Sequence, residues 1–146
     1  MSELFAAIVR DWGKKFSDKK LRIDVAVDPN VPVIRADVTR LQEVLYNLLD
    51  NALKYSPPNG KIRLHATRRD NQVVLGVSDT GVGISEADLP RIFERFYRVH
   101  NTASQPYSGI GLGLYVAKAI IDGHGGQIWL ANNPGTGSTF YFSLPT

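Results

Sequence analysis

Apolar residues at helical spacing open the chain. Across residues 3–16, Leu4, Ala7 and Ile8 fall on one face, and the polar run from Ser17 to Lys20 ends the pattern. Residues 21–27, LRIDVAV, alternate apolar and polar and predict a half-buried strand, followed by a turn at PNVP and a short extended VIRA. Asp37 has the right side chain to cap a long helix running to about Tyr55, where SPPNG stops it because proline cannot continue the hydrogen-bond ladder. KIRLHATRR and QVVLGVSD read as two strands joined by Asp70 and Asn71, residues that tolerate a tight hairpin. SEAD predicts a short helix with Ser85 as cap and Asp88 at its positive end. From about Glu94 to Ile110 periodicity fails, as in a long functional or mobile loop. LGLYVAKAIIDGH then predicts a helix, and GQIWLAN and STFYFSL predict a closing pair of strands around NNPGTG. The expected fold is α+β: a two-layer sandwich of a mixed, mostly antiparallel sheet with helices on one face.

Composition adds bounds rather than detail. At 146 residues, 43% hydrophobic and 21% charged, the chain can bury a core without disulfides or a structural metal. The absence of cysteine excludes thiolate zinc sites and fits a reducing compartment. No apolar run approaches the roughly 20 residues that span a bilayer. Arg10 and Asp11 interrupt the opening segment, unlike a signal peptide. A soluble, cytoplasmic chain without membrane contact of its own is expected, free or as the cytoplasmic part of a membrane-bound sensor. The net charge of +3 raises nucleic acid as a partner, but the basic residues are dispersed, so none is expected.

Candidate chemistry concentrates in three places. In the helix after Asp37, Leu41, Val44, Leu45, Leu48, Leu49 and Ala52 form the apolar stripe, and Glu43, Asn47, Asn51 and Lys54 line its edge. An amide oxygen suits magnesium and a lysine one turn on can meet a phosphate, although a solvated helix face would show the same stripe. In SDTGVGIS, Asp79 would stand at a strand end, where an acceptor-only carboxylate matches the exocyclic amine of adenine, with Gly81 and Gly83 admitting a flat base; a plain turn has the same composition. In SGIGLGL, Gly109, Gly111 and Gly113 precede a helix, so backbone N–H groups can face an anion. This spacing matches neither the dinucleotide fingerprint nor the P-loop, and a lid hinge is compatible with it. In RIFERFYR, Phe93 and Phe96 are expected to anchor the loop, while Arg91, Arg95 and Arg98 bring positive charge to its edge.

EVLYNLLDNALKY, DTGVGI, RIFERFYR, GIGLGL and GTGSTF, in this order, resemble the N box, first glycine box, F box and later glycine boxes of the sensor histidine kinase catalytic domain. The wider GHKL group includes gyrase B, a mismatch-repair ATPase and a heat-shock chaperone, and shares a Bergerat-type ATP-binding sandwich with a lid. The resemblance implies ATP and Mg2+ as cofactors and a phosphoryl transfer to histidine. It implies Asn51 as magnesium ligand, Asn47 as the second N-box amide, and Lys54 and Tyr55 as phosphate and ribose neighbours. Asp79 would read adenine beside Gly81, Gly83 and Ile84, with Thr139 in support. Gly109, Gly111, Leu112 and Gly113 would wrap the phosphates, and Arg98 would approach the terminal one. His65, His100 and His124 lack the acceptor context of the family. The acceptor is therefore expected on a separate or preceding dimerisation segment, with residues 1–20 as its connector, residues 21–146 as the ATP-binding domain and a response regulator as indirect partner. Two other readings stay open: an ATPase switch with Glu43 as base, and a nucleotide sensor or serine kinase of the anti-sigma type.

Overall fold

The computed structural model describes residues 1–95, 97, 112–134 and 136–146. In chain order the elements are α1 (Ser2–Asp18), β1 (Arg22–Val27), α2 (Val38–Tyr55), β2 (Lys61–Arg69), β3 (Gln72–Ser78), a 3-10 turn (Leu89–Arg91), α3 (Gly113–Gly123), β4 (Ile128–Asn132) and β5 (Ser138–Pro145). The strands form one sheet in the order β1-β2-β3-β5-β4. β1 lies parallel to β2 and every other pairing is antiparallel, as the sequence pattern predicts for a mixed sheet.

Local chemistry explains the element ends. At the end of α1 the Leu21 N–H donates to the Phe16 carbonyl at 2.8 Å and the Lys20 N–H to Ser17 at 2.9 Å, with Lys20 at φ 60°. This is a Schellman closure, and its apolar contact is made by Phe16 and Leu21, both buried. Asp37 caps α2 as expected, accepting from the Arg40 N–H at 3.2 Å. At the other end of α2 the Lys19 ammonium donates to the carbonyls of Leu53 and Lys54, where a cation also meets the negative end of the helix dipole. Asp70 takes φ 51° in the two-residue hairpin between β2 and β3.

The apolar stripe of α2 is buried in full, from Leu41 to Ala52. It meets Ile62, Leu64 and Ala66 of β2, Val73, Leu75 and Val77 of β3, and Phe140, Phe142 and Leu144 of β5. α1 adds Phe5, Ile8 and Phe16 to this same core, and α3 adds Ala117 and Ile121. Residues 1–20 thus pack as an integral layer with residues 21–146. The opposite sheet face carries an aromatic row: Trp129 stacks on Tyr141 at 5.4 Å, and His65 meets Tyr141 edge-on at 5.9 Å. His65 needs a glycine opposite, because a Cβ at Gly76 would stand 2.1 Å from its ring.

One expected element differs. SEAD forms a turn in place of an α-helix, yet Ser85 caps it: its hydroxyl accepts from the Asp88 N–H at 3.3 Å and donates to the Asp88 carboxylate at 2.7 Å, and the turn leads into the 3-10 segment. Pro90 lacks the N–H that an α-helix capped at Ser85 would bond to the Glu86 carbonyl.

Candidate functional site

The site is built where the C-terminal half of α2 passes under the loop after β3. Asp79 follows β3 directly and its backbone N–H continues the ladder to the Ser138 carbonyl at 2.9 Å. The residue is 6% exposed, and its carboxylate has only neutral partners among the described residues. Oδ1 accepts from the Gly81 N–H at 2.8 Å and the Ser138 N–H at 3.4 Å, and Oδ2 accepts from the Ser138 hydroxyl at 3.2 Å. Burial pushes its pKa above the ordinary carboxylate value, and the Gly81 and Ser138 hydrogen bonds offset part of that rise.

Ser138 is thus the residue that holds the Asp79 carboxylate directly. Strand alternation is the reason: adjacent β5 residues point to opposite faces, and Thr139 is paired with Ser78 in the register. Thr139 acts one step removed. Its hydroxyl donates to Asn133 Oδ1 at 2.5 Å, and the Asn133 amide donates to the Asp79 carbonyl at 3.1 Å.

The glycine loop is held close to α2. A Cβ at Gly81 would stand 2.6 Å from the Tyr55 carbonyl, so this approach requires glycine. Gly83 takes φ 78°, and Ile84 is buried behind it. The Ile84 N–H donates to Asn132 Oδ1 at 2.9 Å while the Asn132 amide donates to the Ile84 carbonyl at 2.8 Å.

Along the rim of α2, Asn47 and Asn51 are half-buried, and their side chains make no hydrogen bond to another described residue. Asn47 faces the start of α3, where a Cβ at Gly113 would lie 3.4 Å from its Oδ1. Leu112, at the N-cap of α3, makes no side-chain cap bond, so the first turn presents backbone donors beside the asparagine. Lys54 pairs with Asp50 at 2.9 Å, and Glu43 pairs with Arg40 at 3.0 Å on the exposed side. No group of three His, Cys, Asp or Glu among the described residues forms a metal cage. Magnesium carried by a nucleotide needs none, because it keeps waters and phosphate oxygens and takes one or two protein ligands; a free amide oxygen at Asn51 suits that role.

Beyond the loop, Phe93 packs edge-on against Phe140 at 6.2 Å, anchoring this segment to β5. The Tyr97 hydroxyl donates to Asp88, and Arg91 lies 4.5 Å over the Tyr97 ring while pairing with Glu94 at 2.8 Å. Arg91 is therefore occupied. Phe96, Arg98, His100, Gly109 and Gly111 lie outside the described residues. His124 joins two helix ends: Nδ1 bonds the Ile120 carbonyl at 2.9 Å, and Nε2 accepts from the Asp37 N–H at 3.2 Å.

One hydroxyl beside the site has no partner. Ser56 Oγ, at the end of α2, is buried without a hydrogen bond among the described residues. Ser56→Ala is expected to leave the stability of the nucleotide-free chain unchanged or raise it by up to about 1 kcal/mol, since no bond is lost and a desolvated hydroxyl is removed. Denaturant unfolding measures this, and a comparable loss of stability would contradict it.

Sequence reasoning missed Ser138, Asn132 and Asn133. The signal for Ser138 was the alternation of the strand that begins there. The two asparagines carried none, because NNPGTG has the composition of any turn.

Residues 36–146 match the family described as histidine kinase-, DNA gyrase B-, and HSP90-like ATPase. The chain is 39% identical over 143 residues to the adaptive-response sensory kinase SasA of Synechococcus elongatus, covering 97% of this chain and 36% of SasA. It spans about a third of the length of SasA from this and a second Synechococcus strain. The nucleotide-free catalytic domain of histidine kinase ThkA has a TM-score of 0.86 at 31% identity, with 99% of this chain and 91% of that one covered. Full-length ShkA in complex with AMPPNP has a TM-score of 0.85 at 30% identity, covering 98% of this chain and 29% of that one.

Proposed function

Because this chain belongs to the histidine kinase-, DNA gyrase B- and HSP90-like ATPase family, as a catalytic domain of the histidine kinase type, we propose that it binds Mg-ATP and passes the terminal phosphoryl group to a histidine on a separate dimerisation segment. The observation that carries this reading is Asp79, a buried carboxylate held only by neutral donors at the mouth of a glycine loop. An acceptor-only group there selects the amine of adenine over the carbonyl of guanine. Gly81, Gly83 and Ile84 line the base, and Tyr55 borders the ribose. The phosphates run along α2 toward Asn47, Lys54, Leu112 and Gly113, where the first turn of α3 supplies backbone donors. Arg98, Gly109 and Gly111 complete the phosphate end in this reading.

Bound magnesium would neutralise phosphate charge, and Asn51 is the side chain of this chain that would ligate it. Transfer has a loose transition state, so positioning supplies most of the catalysis. The acceptor imidazole nitrogen forms the new bond to phosphorus as the bond to the bridging oxygen breaks, and ADP leaves. Asn47 cannot take a proton from water, so ATP is held without hydrolysis until the histidine arrives. Glu43, the base a hydrolytic switch would need, is occupied by Arg40 on the exposed side of the helix. The acceptor segment, reached through α1, is the direct partner, and a response regulator takes the phosphoryl group onward. No described helix is long and apolar enough to cross a membrane.

Asn51→Ala is expected to weaken Mg-ATP binding on the order of 10- to 100-fold while changing magnesium-free ADP binding little. Calorimetric titration of both ligands tests this together with transfer of labelled phosphate to an added histidine-bearing dimerisation domain. Equal Mg-ATP affinity in wild type and variant, or acid-stable label on the acceptor, would contradict the assignment.

A further inference from the structure

We propose that Asn132 and Asn133, the two residues where β4 runs out, are positioning residues for base recognition: between them they hold both ends of the DTGVGI loop, and so aim Asp79 and the Ile84 backbone at the adenine. The proposal rests on the adenine reading of Asp79.

The geometry is reciprocal at one end of the loop. Asn132 both donates to and accepts from the backbone of Ile84, at 2.8 and 2.9 Å, as a neighbouring strand would. The side chain fits because residue 83 is glycine; a Cβ there would stand 3.0 Å from Asn132 Oδ1. At the other end, Asn133 Nδ2 donates to the Asp79 carbonyl at 3.1 Å, while Ser138 accepts from the Asp79 N–H. Both backbone groups of Asp79 are then fixed, and with them the direction of its side chain.

The orientation of the Asn133 amide is itself determined. Its oxygen accepts from Thr139, the Thr139 and Ser78 hydroxyls are 2.8 Å apart, and Ser78 lies 3.2 Å from His65 Nε2. A reversed amide would set its oxygen against the Asp79 carbonyl, two acceptors with no proton between them. The turn that carries Asn133 between β4 and β5 is itself closed, the Asn133 N–H donating to the Gly137 carbonyl at 2.9 Å. Recognition tolerates about 0.5 Å of misplacement, so loss of either tether degrades discrimination even though neither asparagine is required to touch the nucleotide.

The test compares Mg-ATP with the Mg complex of purine riboside triphosphate, which lacks the 6-amino group. Wild type is expected to prefer Mg-ATP by about tenfold or more. Asn133→Asp removes the donor to Asp79 and sets a carboxylate against a carbonyl. It is expected to lose most of that preference by weakening Mg-ATP binding while leaving the analogue nearly unaffected. Asn132→Ser, a milder change at the far end of the loop, is expected to lose part of it, and Asn132→Gln to recover little because the longer amide misplaces both bonds. Thermal unfolding of the nucleotide-free proteins runs in parallel. A lowered midpoint with an unchanged preference in these variants would mean that the asparagines only stabilise the fold, and would overturn the proposal. Wild type indifferent to the 6-amino group would overturn the adenine reading itself, and the positioning role with it.

Discussion

Asp79→Asn is expected to lower Mg-ATP affinity by about 100-fold, roughly 2–3 kcal/mol, without lowering the thermal midpoint of the nucleotide-free protein. Two N–H groups, from Gly81 and Ser138, converge on Oδ1, so an amide oxygen keeps that position and the new NH2 takes the place of Oδ2. The Ser138 hydroxyl can turn to accept from it, and the fold is preserved. A donor then faces the donor of adenine. Stability moves the other way, because burial raises the folded-state pKa of Asp79 above the ordinary aspartate value of 3.8. A carboxyl raised in this way favours folding most below 3.8, and that contribution is lost as pH rises through the folded-state value. At neutral pH the ionised group therefore carries a standing cost that the amide removes. Unfolding midpoints followed upward from pH 3.8 should fall more for wild type than for Asp79→Asn, and a variant less stable than wild type at pH 7 would contradict the reasoning.

Gly137→Ala should be among the most destabilising single-methyl additions in the chain. Gly137 takes φ 86°, and an added Cβ would stand 2.0 Å from the Asp79 carbonyl oxygen, 2.7 Å from its carbon and 2.9 Å from Thr80 Cα. All three are backbone atoms, so no side chain can swing away. Backbone strain of this kind alone costs about 1–3 kcal/mol. The contact adds to it, and a fall of roughly 5–15 °C in the thermal midpoint is expected for a domain of this size. Nucleotide binding should fall as well, because the atom displaced belongs to Asp79. Gly13→Ala is the control: nothing lies within 4 Å of its Cβ position in α1, and replacing a mid-helix glycine should raise stability by about 0.5–1 kcal/mol. Equal midpoints for the two variants would show that the contact at Gly137 relaxes at no cost.

What could be read in advance was whatever depends on local period and local caps. The stripe from Leu41 to Ala52, the Asp37 cap, the Asp70 hairpin and the closing strand pair all follow from neighbours in sequence, and each stands where the pattern places it. What local pattern does not show lies where distant segments decide the outcome. Thr139 reaches Asp79 only through Asn133, because the register of β3 on β5 turns Thr139 toward Ser78 and Ser138 toward the carboxylate. Asn132 and Asn133 resembled turn residues until the fold brought them to a loop 48 and 54 positions away. The Ser85 cap forms as its spacing suggests, but a turn and a 3-10 segment follow it in place of an α-helix. In α1 the helix itself was legible, but not that Phe5, Ile8 and Phe16 share the core of the sandwich, because burial depends on a partner surface that helical spacing does not name.

The central claim is that an adenine nucleotide occupies the cleft between α2 and the DTGVGI loop. Amide chemical-shift mapping of the isotope-labelled chain during titration with the Mg complex of a non-hydrolysable ATP analogue tests it most directly. The largest saturable shifts are expected at Gly81, Gly83 and Ile84, along Asn47 and Asn51, and at Gly113. Shifts confined to the His65–Tyr141 face of the sheet, or no shifts at millimolar nucleotide, would contradict it.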